Sequence, residues 1–290
     1  MNTKKIIFRS LLAFALLGFL SSACKKEKKE EIDTDTQSSS DNSLAESSFN
    51  DVTSIADEAN EGSLSTFRDM GTDGLLSACS NIVRLHADSS NADTLLISFG
   101  FNNGNNVNVN CLCADGRYRR GVINVIYTGK YRDSLSTHTI SFTNYYVNDN
   151  QMLGTKTVTN NGRNAAGHPT FSIVVNGTIQ LANNGGTLVW NATRNREWIA
   201  GYNTFGPGNW NDDVYLVTGS STGTSASGNT FSSSITSPLK RALNCRWIES
   251  GTVDFTPSGK PTRTLDYGNG NCDDQATVTI NGTVHQITLH

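Results

Sequence analysis

The segment FSIVVNGTIQLA, residues 171–182, carries the strongest fold signal in the chain. Strand-forming residues flank an Asn-Gly pair, and this pair accepts positive φ at both central positions of a tight hairpin turn. We therefore predict strands at Phe171–Val175 and Thr178–Ala182, joined by Asn176-Gly177. The same pattern recurs at Ala276–Ile280, Asn281-Gly282 and Thr283–Leu289, which predicts a second hairpin.

Further strands are indicated on both sides of these hairpins. Val122–Tyr127 and Ile140–Val147 are rich in β-branched and aromatic residues, and a turn at Asn183–Gly186 leads into Thr187–Trp190. No amphipathic helices separate the strands, which excludes architectures whose parallel strands need long crossovers. The sequence predicts an all-β domain over residues 65–290. Its strands would form an antiparallel meander, folded as a β-sandwich or a strongly curved sheet, with one domain or two similar halves.

The first residues have the pattern of an export signal. A basic head containing Lys4, Lys5 and Arg9 precedes the apolar run Leu11–Leu20, which is too short to span a bilayer as a helix. The run ends in Leu20-Ser-Ser-Ala-Cys24, which resembles the lipobox of bacterial lipoproteins. The resemblance implies that residues 1–23 are a signal peptide and that Cys24 carries lipid on its sulfur, so that a lipid bilayer is the first expected partner. A plain secretory signal with an incidental cysteine is the alternative.

Residues 24–64 are polar and acidic, and we expect them to form a lipidated cysteine followed by a flexible tether. A short amphipathic helix is an option around Phe49–Asn60. The charged run Lys25–Glu31 resembles the export signal of surface lipoproteins of Bacteroidota, and the start of a solvated linker is the alternative. The expected location is the outer membrane, lipid-anchored, at the cell surface or else at the periplasmic face.

Five cysteines follow Cys24, and exported proteins meet conditions that favour disulfides. Two regions echo each other: each has a cysteine, then an aromatic-Gly pair, then Cys-x-Asp. We predict the disulfides Cys245–Cys272 and Cys79–Cys113. Cys79–Cys111 is an open alternative, because Cys111 and Cys113 share a strand face. Metal binding by Cys111 and Cys113 is disfavoured, because no histidine lies near them in sequence.

Catalytic signals are weak. Gly219–Gly223 matches the G-x-S-x-G pattern of hydrolases around Ser221, but the polar, turn-rich residues that follow predict a hairpin loop, not the required helix. The histidines show no metal-ligand spacing. Asp212-Asp213 and Asp273-Asp274 are typical of turns, and a contribution to a Ca²⁺ site is the alternative. We therefore predict no catalytic residue, metal or cofactor.

The basic cluster Arg117–Arg120 indicates a solvated strand edge, and a net charge of −3 gives no general attraction to nucleic acid.

Aromatic residues concentrate between positions 190 and 210. Trp190 and Trp198 are expected to pack inward on strands. Tyr202, Phe205 and Trp210 flank a Gly-, Asn- and Pro-rich loop, where flat rings beside hydrogen-bonding groups are typical of a sugar-binding surface. These three residues are the candidate ligand-binding residues.

The runs Leu243–Gly251 and Leu265–Asp273 resemble a group of uncharacterised lipoproteins of Bacteroidota. The resemblance implies an envelope location and an all-β fold, and brings no catalytic residues. We expect an envelope-anchored lipoprotein with a non-catalytic β domain that binds a glycan or an envelope or matrix protein. The alternative is a secreted polysaccharide hydrolase. It would need two carboxyl groups held across a cleft, and the candidates are Asp212, Asp213, Asp254 and Asp266.

Overall fold

The strands pair in chain order into one antiparallel sheet, as the all-β meander prediction requires. The structure is a computed structural model that describes residues 33–61, 76, 79–85, 92–100, 109–204 and 210–289. Neighbours along the chain are neighbours in the sheet, except that the short strand β3 pairs only with the start of β4. Within the described residues, the strands are β1 Ser80–Leu85, β2 Asp93–Phe99, β3 Cys111–Leu112, β4 Tyr118–Tyr127, β5 Thr137–Val147, β6 Asn150–Arg163, β7 Pro169–Gln180, β8 Thr187–Ala200, β9 Val214–Thr224, β10 Thr230–Ala242, β11 Ser250–Pro257, β12 Arg263–Asn269, β13 Gln275–Ile280 and β14 Thr283–Thr288.

Side chains alternate between the two faces of the sheet. Along β8, Trp190, Arg194 and Trp198 are buried on the inner face, whereas Asn191 and Asn195 are exposed on the outer face. This period of two is the property of extended backbone on which the strand predictions rest. Trp190 and Trp198 are each 1% exposed, so the prediction that they pack inward is confirmed.

Among the described residues there is one α-helix, α1 (Gln37–Glu61), which packs against the inner face of the sheet. It contacts strands from β1, through Arg84, to β10, through Arg241, which requires the sheet to curve strongly around it. Between Ser38 and Asn60 every helix residue is buried or half-buried. The compact unit therefore spans Thr34–His290, and the preceding unit, Met1–Asp33, is described only at Asp33.

The helix corrects the expectation of a flexible tether through residue 64. The optional helix at Phe49–Asn60 exists but begins twelve residues earlier, at Gln37. Its composition is polar, and the tether prediction assumed that a polar segment cannot bury enough apolar surface to offset the entropy that it loses on ordering. The sheet removes that obstacle because it supplies charged partners for these side chains.

An aromatic cluster fixes the middle of α1 on the sheet. The Phe49 ring stacks on Trp190 at 5.7 Å between ring centroids and meets the edge of Phe142 at 6.2 Å. On β7, a Cβ atom added at Gly177 would lie 2.2 Å from Cζ of Phe49. Gly177 is therefore the place where the ring contacts the strand backbone.

This contact explains why the hairpin predicted at Asn176-Gly177 is wrong. β7 runs straight through both residues, and Gly177 pairs with Trp190 on β8. Glycine inside a strand often marks close approach of another group, and here that group is Phe49. The hairpin predicted at Asn281-Gly282 is confirmed, with φ of 49° and 82° at its two turn residues between β13 and β14.

Ion pairs hold the first half of α1. The Glu46 carboxylate accepts hydrogen bonds from Arg194 Nε at 3.0 Å and Nη2 at 2.7 Å, with both side chains buried. One turn earlier, the Asn42 amide oxygen accepts from Trp190 Nε1 at 2.9 Å and from the Ser221 hydroxyl at 3.2 Å. Buried charges need such partners because an unpaired buried charge costs several kcal/mol.

The second half of α1 is held in the same way. Asp51 forms ion pairs with Arg117 and Arg241, and Arg241 Nη2 lies 3.0 Å from its Oδ1. The Lys156 ammonium group donates to the backbone oxygen of Phe49 at 2.6 Å. Burial lowers the pKa of Lys156 well below its usual value, and the nearby Arg196 lowers that pKa further.

Both ends of α1 are capped by the sheet as well. At the start, Asp35 accepts a hydrogen bond from the Gln37 backbone N–H and pairs with Lys260 at 2.9 Å. The hydrogen bond from Lys260 is the main cause of the lowered pKa of Asp35. At the end, Arg84 Nη2 donates to the backbone oxygens of Ala59 and Asn60, both at 2.8 Å. A cation there satisfies carbonyls that the helix leaves open and opposes the negative end of its dipole.

Two disulfides close the open ends of hairpins. Cys245–Cys272 joins the flanks of β11 and β12, as predicted, with 5.7 Å between Cα atoms. Cys79 pairs with Cys111, the alternative, so the predicted Cys79–Cys113 bond is wrong. Cys111 and Cys113 are both buried, so strand alternation did not decide between them. Cys113 instead opens the tight turn that leads into β4, where its backbone oxygen accepts from Gly116 N–H.

The basic cluster Arg117–Arg120 is not a solvated strand edge. Arg117 and Arg119 are buried, and Arg119 makes a two-pronged pair with Asp115 at 2.7 and 2.6 Å. Arg120 points to the outer face, where its guanidinium lies 3.9 Å from the Tyr146 ring centroid. The acidic partners of the buried arginines lie on α1 and in the turn before β4. The prediction of a solvated edge was wrong because it considered the cluster without these partners.

We expect Gly177→Ala to lower the free energy of unfolding by about 1–3 kcal/mol, because the new methyl group must displace the Phe49 ring. The φ angle of Gly177 is not positive, so backbone strain does not contribute. Denaturant unfolding of the purified protein measures the change. In a Phe49→Ala background, which itself costs about 3–5 kcal/mol, the same glycine substitution should cost nothing further. Additive losses in the double variant would contradict the contact.

A fragment of residues 34–290 should unfold cooperatively, whereas a fragment of residues 65–290 should not fold. The shorter fragment lacks α1 and leaves Arg194, Arg241 and Lys156 buried without their helix partners. Near-ultraviolet circular dichroism and thermal unfolding distinguish the two states. A cooperative transition of equal midpoint in both fragments would show that α1 is dispensable.

Candidate functional site

The best candidate site lies at one end of the sheet, in a pocket of about 360 Å³. Connections of an antiparallel meander alternate between the two ends. The β4–β5, β6–β7 and β8–β9 connections therefore meet at the same end. Arg132 and Tyr202 lie in the first and third of these connections, and Arg163 is the last residue of β6. Together with Trp198 near the end of β8, these residues form what we call the arginine–aromatic pocket.

Trp198 forms the floor of the pocket. Its ring is buried, its Nε1 donates to Asp213 Oδ1 at 3.2 Å, and the Arg132 guanidinium lies 4.3 Å from its ring centroid. Arg132 Nη1 also donates to the backbone oxygen of Tyr202 at 2.9 Å. Arg132 therefore links the floor of the pocket to the loop that carries Tyr202.

The loop at Tyr202 is set by its backbone. Gly201 has φ of 83°, and a Cβ atom there would lie 2.1 Å from Asp213 Oδ1, so the turn requires glycine. The Gly201 oxygen then accepts from the Thr204 N–H at 3.1 Å and the Thr204 hydroxyl at 2.7 Å. These bonds hold Tyr202 beside the end of β8.

Two groups lie against the half-buried Tyr202 ring. The Arg163 guanidinium is 5.0 Å from the ring centroid, and the His168 ring is 5.6 Å away at 58°. His168 Nδ1 lies 2.7 Å from Glu197 Oε1, which also accepts from the Asn164 amide at 2.8 Å. The hydrogen bond from His168 is the main cause of the lowered pKa of Glu197. Glu197 therefore stays ionised and orients the histidine beside the tyrosine.

Other depressions among the described residues are similar in size but differ in chemistry, and two of them are larger. One, of about 490 Å³, lies at the opposite end of the sheet around the β11–β12 turn at Ser258–Pro261. The other, of about 380 Å³, is lined by Asp266, Asp273 and several amides. Asp266 and Asp273 accept hydrogen bonds from the backbone N–H groups of Gly268 and Gln275, so both cap turns, in agreement with the turn interpretation of Asp273.

The structure brings one of the three predicted ligand-binding residues into the pocket. Tyr202 lies there, whereas Phe205 lies outside the described residues. Trp210 begins a short 3₁₀ segment, Trp210–Asp212, and its side chain also lies outside what is described. Arg132, Arg163 and His168 were not predicted, because they lie 34 to 70 residues from Tyr202 along the chain.

The other motifs have structural partners. Ser221 lies inside β9, not in a hairpin loop as predicted; the turn follows at Ser225–Asn229. Its buried hydroxyl lies 2.6 Å from the Ser233 hydroxyl. Asp254 accepts from Thr264 at 2.8 Å, and Asp212 accepts from Thr204 at 3.1 Å. His138 is buried on β5, its Nε2 lies 2.9 Å from the Gly129 oxygen, and desolvation lowers its pKa.

The pocket offers flat rings, guanidinium groups and amide donors, a set suited to holding a polar ligand in place. In the part of the chain that the structure describes, no group of three or more His, Cys, Asp or Glu side chains gathers where it could hold a metal ion. Among the same residues, no helix has the length and apolar character needed to cross a membrane. Comparison of the chain with protein-family models, with curated proteins and with solved structures finds no match in any of the three.

Proposed function

We propose that this protein is a lipid-anchored envelope protein whose β domain binds a saccharide, without catalysis, in the arginine–aromatic pocket. The observation that carries the proposal is the half-buried Tyr202 ring, held beside Arg163 and His168 at the mouth of a 360 Å³ cavity. Aromatic faces stack on the apolar faces of sugar rings, while neighbouring polar groups bind their hydroxyls. Anchoring rests on Cys24 and its lipobox-like context.

The topology supports an orientation for this role. The chain enters the compact unit at Thr34 and Asp35, beside Lys260 in the β11–β12 turn. From there α1 runs in the same direction as β8, since Asn42, Glu46 and Asn50 contact residues 190, 194 and 196 in turn. The helix is about 37 Å long at 1.5 Å per residue. The pocket, beyond residue 196 of β8, lies at the end of the sheet opposite the one at which the chain enters the compact unit.

A binding role fits the acidic residues better than hydrolysis does. Asp213 is buried and accepts from Trp198, and Asp254 accepts from Thr264 on the paired strand β12. Asp212 accepts from Thr204 in the same connection, and Asp266 accepts from the Gly268 backbone N–H two residues later. Hydrolysis of a glycosidic bond needs one carboxylic acid and one carboxylate on opposite sides of the sugar. Each of these four carboxylates instead stabilises the backbone or a side chain beside it.

We expect metabolic labelling with an alkyne analogue of palmitate to mark the protein, and Cys24→Ser to abolish the label. A thioether-linked lipid and an acylated amino terminus provide the two or more chains that stable anchoring needs. Membrane fractionation of the same cells measures whether the protein stays with the membrane when the label is lost. Cys113→Ser, a change at a buried cysteine, serves as the control and should keep the label. An unlabelled wild-type protein would disprove the anchor.

We expect the full-length protein, purified in detergent, to bind members of an immobilised saccharide panel, and Tyr202→Ala to weaken that binding about tenfold or more. Loss of the ring removes the stacking surface, and tenfold corresponds to about 1.4 kcal/mol. Titration calorimetry with the best saccharide measures the change.

Tyr146→Ala is the matched control for that measurement. Tyr146 is also half-buried beneath an arginine, Arg120, but belongs to the opposite end of the sheet. It should leave binding unchanged. A saccharide whose affinity is the same for the Tyr202→Ala variant would place binding elsewhere.

A further inference from the structure

We infer that a small tetrahedral oxyanion, phosphate or sulfate, binds between α1 and the sheet in a cavity that Arg117 and Arg246 line. We call it the Arg117–Arg246 cavity. It shares no described lining residue with the arginine–aromatic pocket, so the inference does not depend on saccharide binding. None of its described lining residues is acidic, and the polar ones are Ser47, Ser48, Arg117, Asn148, Asn150 and Arg246.

The cavity has the size of such an anion. Its volume is about 60 Å³, and at about 15 Å³ for each water-sized sphere it takes about four oxygen-sized groups. Phosphate and sulfate each present four oxygens around one centre. Asn148 lies in the β5–β6 turn and is exposed, so an ion can reach the cavity from solvent at that residue.

Positive charge exceeds negative charge around this cavity. Asp51 is shared between Arg117 and Arg241, and Asp115 pairs with Arg119 and lies 3.9 Å from Arg117 Nε. Two carboxylates thus serve four neighbouring guanidinium groups, those of Arg117, Arg119, Arg241 and Arg246. The pKa of Arg117 is lowered to about 9, mainly by burial and then by the other three arginines. An anion in the cavity would offset both causes.

Arg246 is the arginine of this group without an acidic partner. Within the part of the chain that the structure describes, it forms no ion pair, and its buried Nε donates to no acceptor. Glu249, three residues later, pairs with Lys240 at 2.8 Å instead. A buried guanidinium N–H is costly when it is unsatisfied, and an oxyanion accepts such donors in charge-assisted hydrogen bonds.

Two amide groups at the cavity add donors. The Asn148 side-chain oxygen accepts from the Tyr118 backbone N–H at 2.9 Å. The Asn150 side-chain oxygen accepts from the Ala182 backbone N–H, also at 2.9 Å. Each amide thus uses its oxygen on the backbone, which leaves its nitrogen as the group that can meet an anion.

The loop that carries Arg246 is held in place before an anion arrives. Arg241 Nη1 donates to the backbone oxygens of Cys245 at 2.8 Å, of Arg246 at 2.5 Å and of Trp247 at 3.2 Å. The Cys245–Cys272 disulfide fixes the residue before Arg246 as well. Such preorganisation reduces the entropy lost on binding.

The test titrates the full-length protein, purified in detergent, with sodium phosphate, sodium sulfate and sodium chloride at matched ionic strength. We expect one phosphate or sulfate to bind per chain with a Kd of about 1 mM or tighter. Chloride should bind at least tenfold more weakly, because a single atom cannot meet donors on all sides of the cavity. Calorimetry measures binding directly, since both oxyanions also stabilise folded proteins in general by exclusion from their surfaces.

Glycerol phosphate identifies the source of the oxyanion. Tighter binding than inorganic phosphate would show that the cavity takes the terminal phosphate of a larger molecule, such as a lipid headgroup. Weaker binding would show that it takes the free ion. Both results support an oxyanion site.

Three variants locate the binding. Arg246→Gln should weaken phosphate binding at least tenfold. Asn148→Asp keeps the oxygen that caps Tyr118 but replaces a donor with a negative charge, so it should weaken binding at least as much even if Arg246→Gln disturbs the loop. Arg163→Gln, at an exposed arginine of the other pocket, should bind phosphate like the unaltered protein. Cooperative thermal unfolding shows that each variant is folded.

Four results would overturn the inference. They are absence of saturable phosphate and sulfate binding, chloride binding of equal affinity, equal loss in all three variants, and loss in Arg163→Gln alone. The third would show general charge attraction, and the fourth would place the anion in the arginine–aromatic pocket. Saccharide binding through Tyr202 is measured separately, so its presence or absence leaves this test unaffected.

Discussion

The fold depends on the ionic contact between α1 and the inner face of the sheet. A sheet that buries Arg117, Lys156, Arg194, Arg196 and Arg241 does not have a self-sufficient apolar core. The helix brings Glu46 and Asp51 as carboxylates, Asn50 as an amide and the Phe49 backbone oxygen to meet them. Buried ion pairs seldom add net stability, but removal of one partner is costly. The sheet and the helix are therefore each incomplete without the other.

The same contact also defines the position of the helix. Apolar contacts alone tolerate sliding by a turn, whereas Glu46 can meet Arg194 only when Asn42 meets Trp190 and Asp51 meets Arg241. Phe49 over Gly177 adds a steric constraint at the centre. In this molecule, charge selects the register of a helix on a sheet, and apolar packing of Phe49, Trp190 and Phe142 supplies the burial.

The elements that depend on local contacts could be predicted from the sequence. Those that depend on contacts between distant parts of the chain could not. Asn281-Gly282 forms the hairpin that it predicts, and among the described residues, its chain neighbours aside, no atom lies within 4 Å of a Cβ placed on Gly282. The identical pair at Asn176-Gly177 stays extended, because a phenylalanine 128 residues earlier in the chain lies on the glycine. The polar segment at 37–61 was taken for a tether for the same reason. Its partners are distant in sequence, so composition alone showed only that it could not form an apolar core. Strand alternation likewise did not show whether Cys111 or Cys113 pairs with Cys79. In the structure Cys113 begins a turn, and Cys111 forms the disulfide.

The candidate site likewise combines a residue that the local sequence indicated with residues that only the fold brings together. Aromatic clustering near position 200 is visible in one stretch of sequence, and it led to Tyr202. Arg132 belongs to the β4–β5 connection and Arg163 is the last residue of β6, and only the alternation of connections between the two ends of a meander brings them to that ring. Once the strand order is known, the juxtaposition is required, because β4–β5, β6–β7 and β8–β9 must turn at one end. The end that receives the chain at Asp35 must be the other one, since α1 runs along β8 away from it. The chain thus enters the compact unit at one end of the sheet and the pocket lies at the other end, as a consequence of topology.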